Sequence, residues 1–156
     1  MKKTIAITAT TILTASVIGL SCFVGCAEKK KAEKQTVSAY LDQIGNTVEA
    51  TVDLSDGYSC EFSRGAIYIY DDSSKENAKA IGMTLDKAVY DEYLVDAQND
   101  ANHKDVKDGV IFKIGDQVGY IRTVGDDAYF AIFSNTVNAD QMEQIADRIE
   151  LTAERV

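Results

Sequence analysis

The chain has few of the residues from which catalytic and metal sites are commonly built. Its 156 residues include one histidine, three cysteines, no tryptophan and no proline. A Ser-His-Asp triad or a Cys-His dyad would have to use His103, and zinc requires clustered cysteine and histidine ligands. Sugar sites usually offer stacking aromatic side chains, and tryptophan is not among those present here. The scarcity of histidine, cysteine and tryptophan therefore argues against a Ser-His-Asp or Cys-His catalytic site, a zinc site and a sugar-binding site.

Basic residues are also scarce over most of the chain. Residues 36–156 hold 10 of the 16 lysines and arginines and 23 of the 25 acidic residues, so their net charge is near −13. Nucleic acids are bound largely through their phosphates, which need a basic surface. We therefore expect no nucleic-acid partner. The acidic surface is expected chiefly to keep the domain soluble.

The first 25 residues have the composition of a secretory signal peptide. Lys2 and Lys3 precede an uncharged segment of 22 residues, Thr4–Gly25, in which isoleucine and leucine alternate with threonine and small residues. A short basic region, an apolar region and small residues at the end are the three parts of such a signal. We therefore predict export from the cytoplasm.

The end of that segment, Phe23-Val24-Gly25-Cys26, resembles the lipobox of bacterial lipoproteins, with Phe23 where leucine is usual. The resemblance implies that the Cys26 thiol receives a diacylglyceryl group and that the chain is cut between Gly25 and Cys26. Cys22 is a rival acceptor with a poorer match before it. An uncleaved transmembrane anchor is the alternative, since about 20 residues span a bilayer. We expect lipidation, with the domain on the extracytoplasmic face of the cell membrane.

The remainder divides into a tether and one domain. After the lipidated cysteine, the tether of residues 26–35 carries four lysines and two glutamates and no large apolar residue. Residues 36–156 are long enough for a single domain with a hydrophobic core. Cys60 is the one cysteine in that domain, so no internal disulfide is expected, and its place in a predicted strand indicates a buried thiol.

Hydrophobic spacing predicts the helices and strands of the domain. Val37, Tyr40, Leu41 and Ile44 follow helical spacing, whereas strands show alternation. Asp86 is a predicted N-cap. The predicted elements are a helix at 37–44, strands at 48–54, 58–62, 66–70 and 80–85, a helix from 87 to about 100, strands at 109–114, 118–124 and 128–133, a helix at 139–149 and a short edge strand at 150–152. The middle helix is marked by Val89, Tyr93 and Ala97, with Tyr90, Leu94 and Ala101. The last helix has Asn138 and Gln141 in a capping box and the buried stripe Met142, Ile145, Ala146 and Ile149.

This order of elements indicates an α+β fold, a mostly antiparallel sheet with helices packed on it. The turn Ser55-Asp56-Gly57-Tyr58, the helix entry Leu85-Asp86-Lys87 and the closing helix Ala139–Ile149 resemble the PsbP/Mog1 sandwich and small lipoproteins of anaerobic Gram-positive bacteria. The resemblance implies an accessory, non-catalytic protein, and it carries over no catalytic residues.

The candidate catalytic and metal-binding residues are weak. His103 lies in a predicted polar loop at 99–108, and pairing it with Cys60 as a thiol dyad is the less favoured interpretation. Asp96, Asp100 and Asp105 lie close together along the chain, with Asn99 and Asn102 between them, but they lack the Asp-x-Asp-x-Asp-Gly spacing of a calcium loop. We predict no catalytic residue, metal ligand or cofactor.

Two strand positions are candidates for recognition. Tyr68 and Tyr70 share one face of a strand, and they would form a recognition patch if that face is open and a core if a helix covers it. The core interpretation is favoured. Arg122 is expected to form an ion pair within an acidic domain. The sequence thus predicts a lipid-anchored, non-catalytic module that binds an unknown protein or small ligand through its sheet face or acidic loops. An envelope hydrolase using carboxylates is the alternative.

Overall fold

The computed structural model describes residues 36–43, 46–72 and 76–155. The signal peptide, Cys26 and the tether lie outside the described residues, so those predictions stay predictions. The described elements are β1 Thr36–Gln43, β2 Asn46–Asp53, β3 Ser59–Ser63, β4 Ala66–Tyr70, β5 Ala80–Leu85, α1 Lys87–Asn99, β6 Lys104–Val106, β7 Gly109–Ile114, β8 Gln117–Val124, β9 Ala128–Ser134, α2 Ala139–Ala146 and β10 Ile149–Arg155.

The predicted first helix is wrong, because this segment is strand β1. It pairs antiparallel with β2 over its whole length, from Thr36 opposite Asp53 to Gln43 opposite Asn46. Leu41 is 1% exposed, whereas its neighbour Tyr40 is 62% exposed. A helix would put these two residues on one face, but a strand sends successive side chains to opposite faces. The side chains of this segment therefore alternate between the two faces of the sheet, as those of a strand do.

The described strands form two antiparallel sheets. The smaller has the order β1-β2-β10, and the larger has the order β3-β4-β5-β9-β8-β7-β6. The predicted edge strand at 150–152 is confirmed and is longer, since β10 pairs with β2 from Ile149 to Arg155. The predicted end of the last helix at residue 149 is therefore wrong, because α2 ends at Ala146 and Ile149 belongs to the strand. Strand β6 lies inside the segment that the sequence predicts as a polar loop. Antiparallel sheets with two helices confirm the α+β class.

Strand β9 shows how the layers are arranged. Phe130 and Ile132 point into a core shared with the smaller sheet and with α2, through residues such as Val48 and Met142. Ala131, between them, points to the opposite face, which α1 covers. The larger sheet therefore has the smaller sheet and α2 on one side and α1 on the other, and both helices pack on it as predicted.

The helix ends agree in part with the sequence prediction. Asn138 and Gln141 form the predicted capping box, with each side chain accepting from the other residue's backbone N–H group at 2.9 and 3.0 Å. Asp86 occupies the N-cap of α1, but its side chain makes no capping hydrogen bond. Four residues of the predicted stripe of α1 pack toward the sheet, namely Tyr90, Tyr93, Leu94 and Ala97. Val89 is 38% exposed, and Ala101 lies beyond the end of the helix.

Candidate functional site

A polar cleft of about 400 Å³ lies where the smaller sheet, the end of α2 and the β6–β8 part of the larger sheet meet. Its walls carry charged side chains of both signs together with one phenol. Those used below are Asp53, Lys107, Asp108, Tyr120, Arg122, Glu143, Asp147, Arg148 and Glu150. This cleft is the candidate functional site of the described residues.

Arg122 is in the cleft because of the alternation of β8. Tyr120 and Val124 point from this strand into the core between the sheets. Every second residue of a strand points to the same face, so Arg122, which lies between them, points inward as well. Its side chain is 18% exposed. The Arg122 guanidinium therefore points inward from the larger sheet, at the place where the hydrophobic core ends and the cleft begins.

The Arg122 guanidinium is mostly buried, but it forms no close ion pair among the described residues. The nearest carboxylate oxygen is Oδ2 of Asp108, at 3.6 Å from the Arg122 Nη1, which is longer than a charge-assisted hydrogen bond. Its Nε donates to the Thr123 carbonyl oxygen at 3.2 Å. The predicted ion pair is therefore present only as a long contact, and the guanidinium keeps donor capacity toward the cleft.

Tyr120 lies beside Arg122 and is 4% exposed. Burial raises the pKa of the Tyr120 phenol, and the carboxylates of Asp108 and Asp147 raise it further. The Arg122 guanidinium, which hydrogen-bonds to the phenol, acts in the opposite direction on that pKa. These effects place the phenol within electrostatic reach of one cation and two carboxylates. At neutral pH the phenol is a neutral hydrogen-bonding group.

Glu143 of the lining is held by a lysine of the larger sheet. Glu143 accepts a hydrogen bond from Lys104 at 2.5 Å, and Lys104 also reaches Asp140 at 3.2 Å. Hydrogen bonds to those two carboxylates raise the pKa of Lys104. The ion pairs connect α2 to β6, so they hold one wall of the cleft to the edge of the larger sheet.

Arg148 holds the turn at residues 55–58 beside the cleft. Its guanidinium donates to the Ser55 carbonyl oxygen at 2.9 Å and to Asp56 Oδ2 at 2.8 Å, and it lies 4.1 Å from the centre of the Tyr58 ring. Its Nε is buried and has no acceptor among the described residues. A buried donor without an acceptor is uncommon, and here it belongs to the guanidinium that packs over the Tyr58 ring.

The structure separates the two residues of the possible thiol dyad. Cys60 lies on β3, and His103 directly precedes β6, at the opposite edge of the seven-stranded sheet. Six strand spacings separate these edges, or roughly 25–30 Å. Cys60 is half-buried, and burial raises the pKa of its thiol to about 11. His103 is exposed, with its Nδ1 2.8 Å from the Asp100 carbonyl oxygen. The dyad is therefore excluded.

The Asp100 carboxylate accepts hydrogen bonds from the backbone, and its acidic neighbours along the chain lie on separate elements. The backbone N–H groups of Asn102 and Lys113 donate to the Asp100 carboxylate at 2.9 and 2.8 Å, and they lower its pKa. Asp96 lies on α1 and Asp105 on β6. Within the described ranges, no group of three metal-ligating side chains comes together.

Tyr68 and Tyr70 are half-buried and belong to neither hydrophobic core cluster. They lie on the face of β4 opposite Ile67 and Ile69, which are core residues. The favoured core interpretation is therefore wrong for the tyrosines. Their cross-strand neighbours on β3 are Glu61 opposite Tyr68 and Ser59 opposite Tyr70.

The cleft has no local signal in the sequence. The sequence predicts Arg122 only as an ion-pair partner, and the one available sign of an inward cation is its position between Tyr120 and Val124, two apolar residues on the same face of the strand. The chain matches no protein-family model, and neither the curated proteins nor the solved structures include a detectably similar one. In the part of the chain that the structure describes, none of the helices has the length and apolar character needed to cross a bilayer.

Proposed function

We propose that this chain is a lipoprotein, anchored through Cys26 on the extracytoplasmic face of the cell membrane, whose domain acts as a non-catalytic binding module. The lipobox-like segment Phe23-Val24-Gly25-Cys26 supports the anchor. The antiparallel sheet with a helix on each face agrees with the layering of a PsbP/Mog1-like sandwich, which we propose as the finer description of the fold. We propose the cleft beside Arg122 as the binding site.

The position of Arg122 is the observation that carries this proposal. A side chain 18% exposed, with its nearest carboxylate oxygen at 3.6 Å, has lost much of its water without gaining a close ionic partner. Such a cation is costly unless another group supplies hydrogen-bond acceptors. A bound ligand would supply them, and the cleft gives that ligand access.

A binding role uses the side chains of the cleft better than catalysis does. The lining contains no cysteine, histidine or serine among the described residues, so a thiol nucleophile or a serine–histidine pair would have to come from elsewhere. The Cys60 thiol, with a pKa of about 11, is protonated at neutral pH and is a poor nucleophile. Arg122 and Tyr120 are hydrogen-bonding groups that recognise ligands without reacting with them.

The anchor is tested by metabolic labelling with a palmitate analogue. We expect label on the wild-type chain and on Cys22→Ala, and none on Cys26→Ala, because Cys26 is the proposed acceptor. Both variants remove one thiol from the same apolar segment, so each is the matched control of the other. Label that persists on Cys26→Ala would contradict the anchor.

The binding site is tested by crosslinking pulldown from native membranes. We expect the molecules captured by the wild-type chain to be lost with Arg122→Met and retained with Arg64→Met. Arg64 is an exposed arginine in the turn between β3 and β4, so its replacement removes the same charge far from the cleft. Equal capture by the two variants would contradict the cleft as the site.

A second candidate is an envelope hydrolase, which the carboxylates of the cleft favour. Asp53, Asp108, Glu143, Asp147 and Glu150 all line it, and paired carboxylates are the catalytic groups of most glycosidases. A screen of the wild-type chain, His103→Ala and Asp108→Asn against ester, peptide and glycoside substrates tests it. An activity that Asp108→Asn abolishes in a folded protein would establish the hydrolase. We expect no activity in any of the three.

A further inference from the structure

The charges that line the cleft are arranged by depth. Arg122 lies on the inner wall with a side chain 18% exposed, whereas Lys107, Asp147 and Glu150 are exposed at the outer part of the lining. Among the described residues no ion-pair partner is found for these last three. The cleft therefore offers a positive group inside and mainly negative groups at its mouth.

The balance of charge selects between classes of ligand. The lining carries three basic residues against five acidic ones. A simple anion would meet this negative excess at the mouth, and a simple cation would meet Arg122 inside, so each would face repulsion in one part of the cleft. A ligand with both charges would meet an opposite charge at each end, which is the arrangement of electrostatic complementarity.

The inner wall is suited to a carboxylate. A guanidinium has five N–H donors in a planar fork that matches two carboxylate oxygens. Arg122 uses Nε on the Thr123 carbonyl and one further donor on Tyr120, and Asp108 at 3.6 Å takes no close hydrogen bond.

The mouth is suited to an ammonium group. Ala146 ends α2 and Asp147 is its C-cap, and both line the cleft. The C-terminal end of a helix carries partial negative charge from its unpaired carbonyl groups, which favours a nearby cation. The Asp147 carboxylate adds a full negative charge there, and it lies close enough to the Tyr120 phenol to raise its pKa.

We infer that the cleft binds a small zwitterion of the amino acid or short peptide class, with its carboxylate on Arg122 and its ammonium group near Asp147 at the C-terminal end of α2. This inference rests on the proposed binding role of the cleft and names its ligand class. The volume of about 400 Å³ lies toward the lower end of the range of ligand pockets, roughly 300–1,000 Å³, and suits a ligand of this size.

The test is isothermal titration calorimetry on the full chain in detergent micelles with three matched probes. Dialanine carries both charges, N-acetyl-dialanine lacks the ammonium group, and dialanine amide lacks the carboxylate. We expect dialanine to bind about tenfold more tightly than either of the others, because each of them leaves one end of the cleft unpaired. Equal affinity for N-acetyl-dialanine, or for dialanine amide, would overturn the inference.

Two variants assign the ends of the ligand. Arg122→Met should weaken dialanine binding about tenfold or more, and Arg122→Lys should restore part of it, because lysine keeps the charge without the planar fork. Asp147→Asn, at an exposed position, should lower the preference for dialanine over N-acetyl-dialanine, because it removes the carboxylate proposed to pair with the ammonium group. Unchanged preference in Asp147→Asn would overturn the inference even if Arg122→Met fails to fold.

The outcomes also separate this inference from the proposed function. If the pulldown captures a ligand that Arg122→Met loses while none of the three probes binds, the zwitterion is refuted and the binding module stands. If neither the pulldown nor calorimetry detects binding in the cleft, both are refuted.

Discussion

Replacing Ile145 by alanine tests whether α2 is held to the larger sheet by its buried side chains. Ile145 is 2% exposed and lies in the main core cluster with Met142 of the same helix. The helix has eight residues, which is too short for it to be stable alone. Its position must therefore depend on what these two side chains bury, and it forms one wall of the cleft.

The magnitude follows from the atoms removed. Isoleucine to alanine deletes three carbon atoms, and at about 0.8 kcal/mol for each buried methylene the lost transfer free energy is about 2.4 kcal/mol. The cavity left behind adds up to about 2 kcal/mol when the neighbours relax little. We expect a loss of about 2.5–4.5 kcal/mol in the free energy of unfolding, or about 10–18 °C in Tm for a domain of this size.

The assay is thermal and urea denaturation of residues 34–156, the compact unit of the chain, followed by circular dichroism. Val95→Ala is the matched control, because Val95 is an aliphatic residue on the other helix that is 54% exposed. Its replacement should change the free energy of unfolding by at most about 0.5 kcal/mol. If Ile145→Ala lowers Tm by no more than this control does, the packing of α2 is not as described.

Three further predictions concern single side chains. Asn138→Ala removes one of the two capping-box hydrogen bonds directly and should cost about 1 kcal/mol of stability in urea denaturation. With Cys22 and Cys26 replaced by alanine, Cys60 should react with a disulfide reagent much more slowly than a free thiol at pH 8, and its rate should rise until about pH 11, since burial raises its pKa to about 11. The backbone hydrogen bonds that lower the pKa of Asp100 stabilise the fold at pH values above the ordinary carboxyl pKa. This stabilisation is lost as the pH falls through the pKa that Asp100 has in the folded state. The urea midpoint of Asp100→Asn should therefore change less with acid pH than that of the wild-type chain.

Much of the larger sheet could be predicted from the sequence because its strands carry strong local signals. Gly57, Gly65, Gly115 and Gly125 all have positive φ, and each lies in a turn between predicted strands. Glycine adopts these angles without steric cost, so such turns are readable from the residues alone. The capping box at Asn138 was readable for the same reason, since both partners lie within one turn of helix.

The error at β1 has a different cause. Val37, Ala39 and Leu41 support a strand as well as Val37, Tyr40 and Leu41 support a helix, so the local pattern is ambiguous in so short a segment. Pairing with β2 decides between the two, because Val48, Ala50 and Val52 present a matching buried face. The β10 strand on the other side of β2 arrives from the far end of the chain. No local pattern contains that information.

The cleft could not be predicted because it is assembled from distant parts of the sequence. Asp53 on β2, Arg122 on β8 and Asp147 at the end of α2 meet only after both sheets have formed. From the residues alone, Arg122 in an acidic domain is expected to find a carboxylate, and the sequence offers many. The structure shows that the nearest one stays 3.6 Å away, while the fold shelters the guanidinium on the inner face of a sheet. The distance and the burial together make Arg122 a candidate for binding, and both are properties of the tertiary structure.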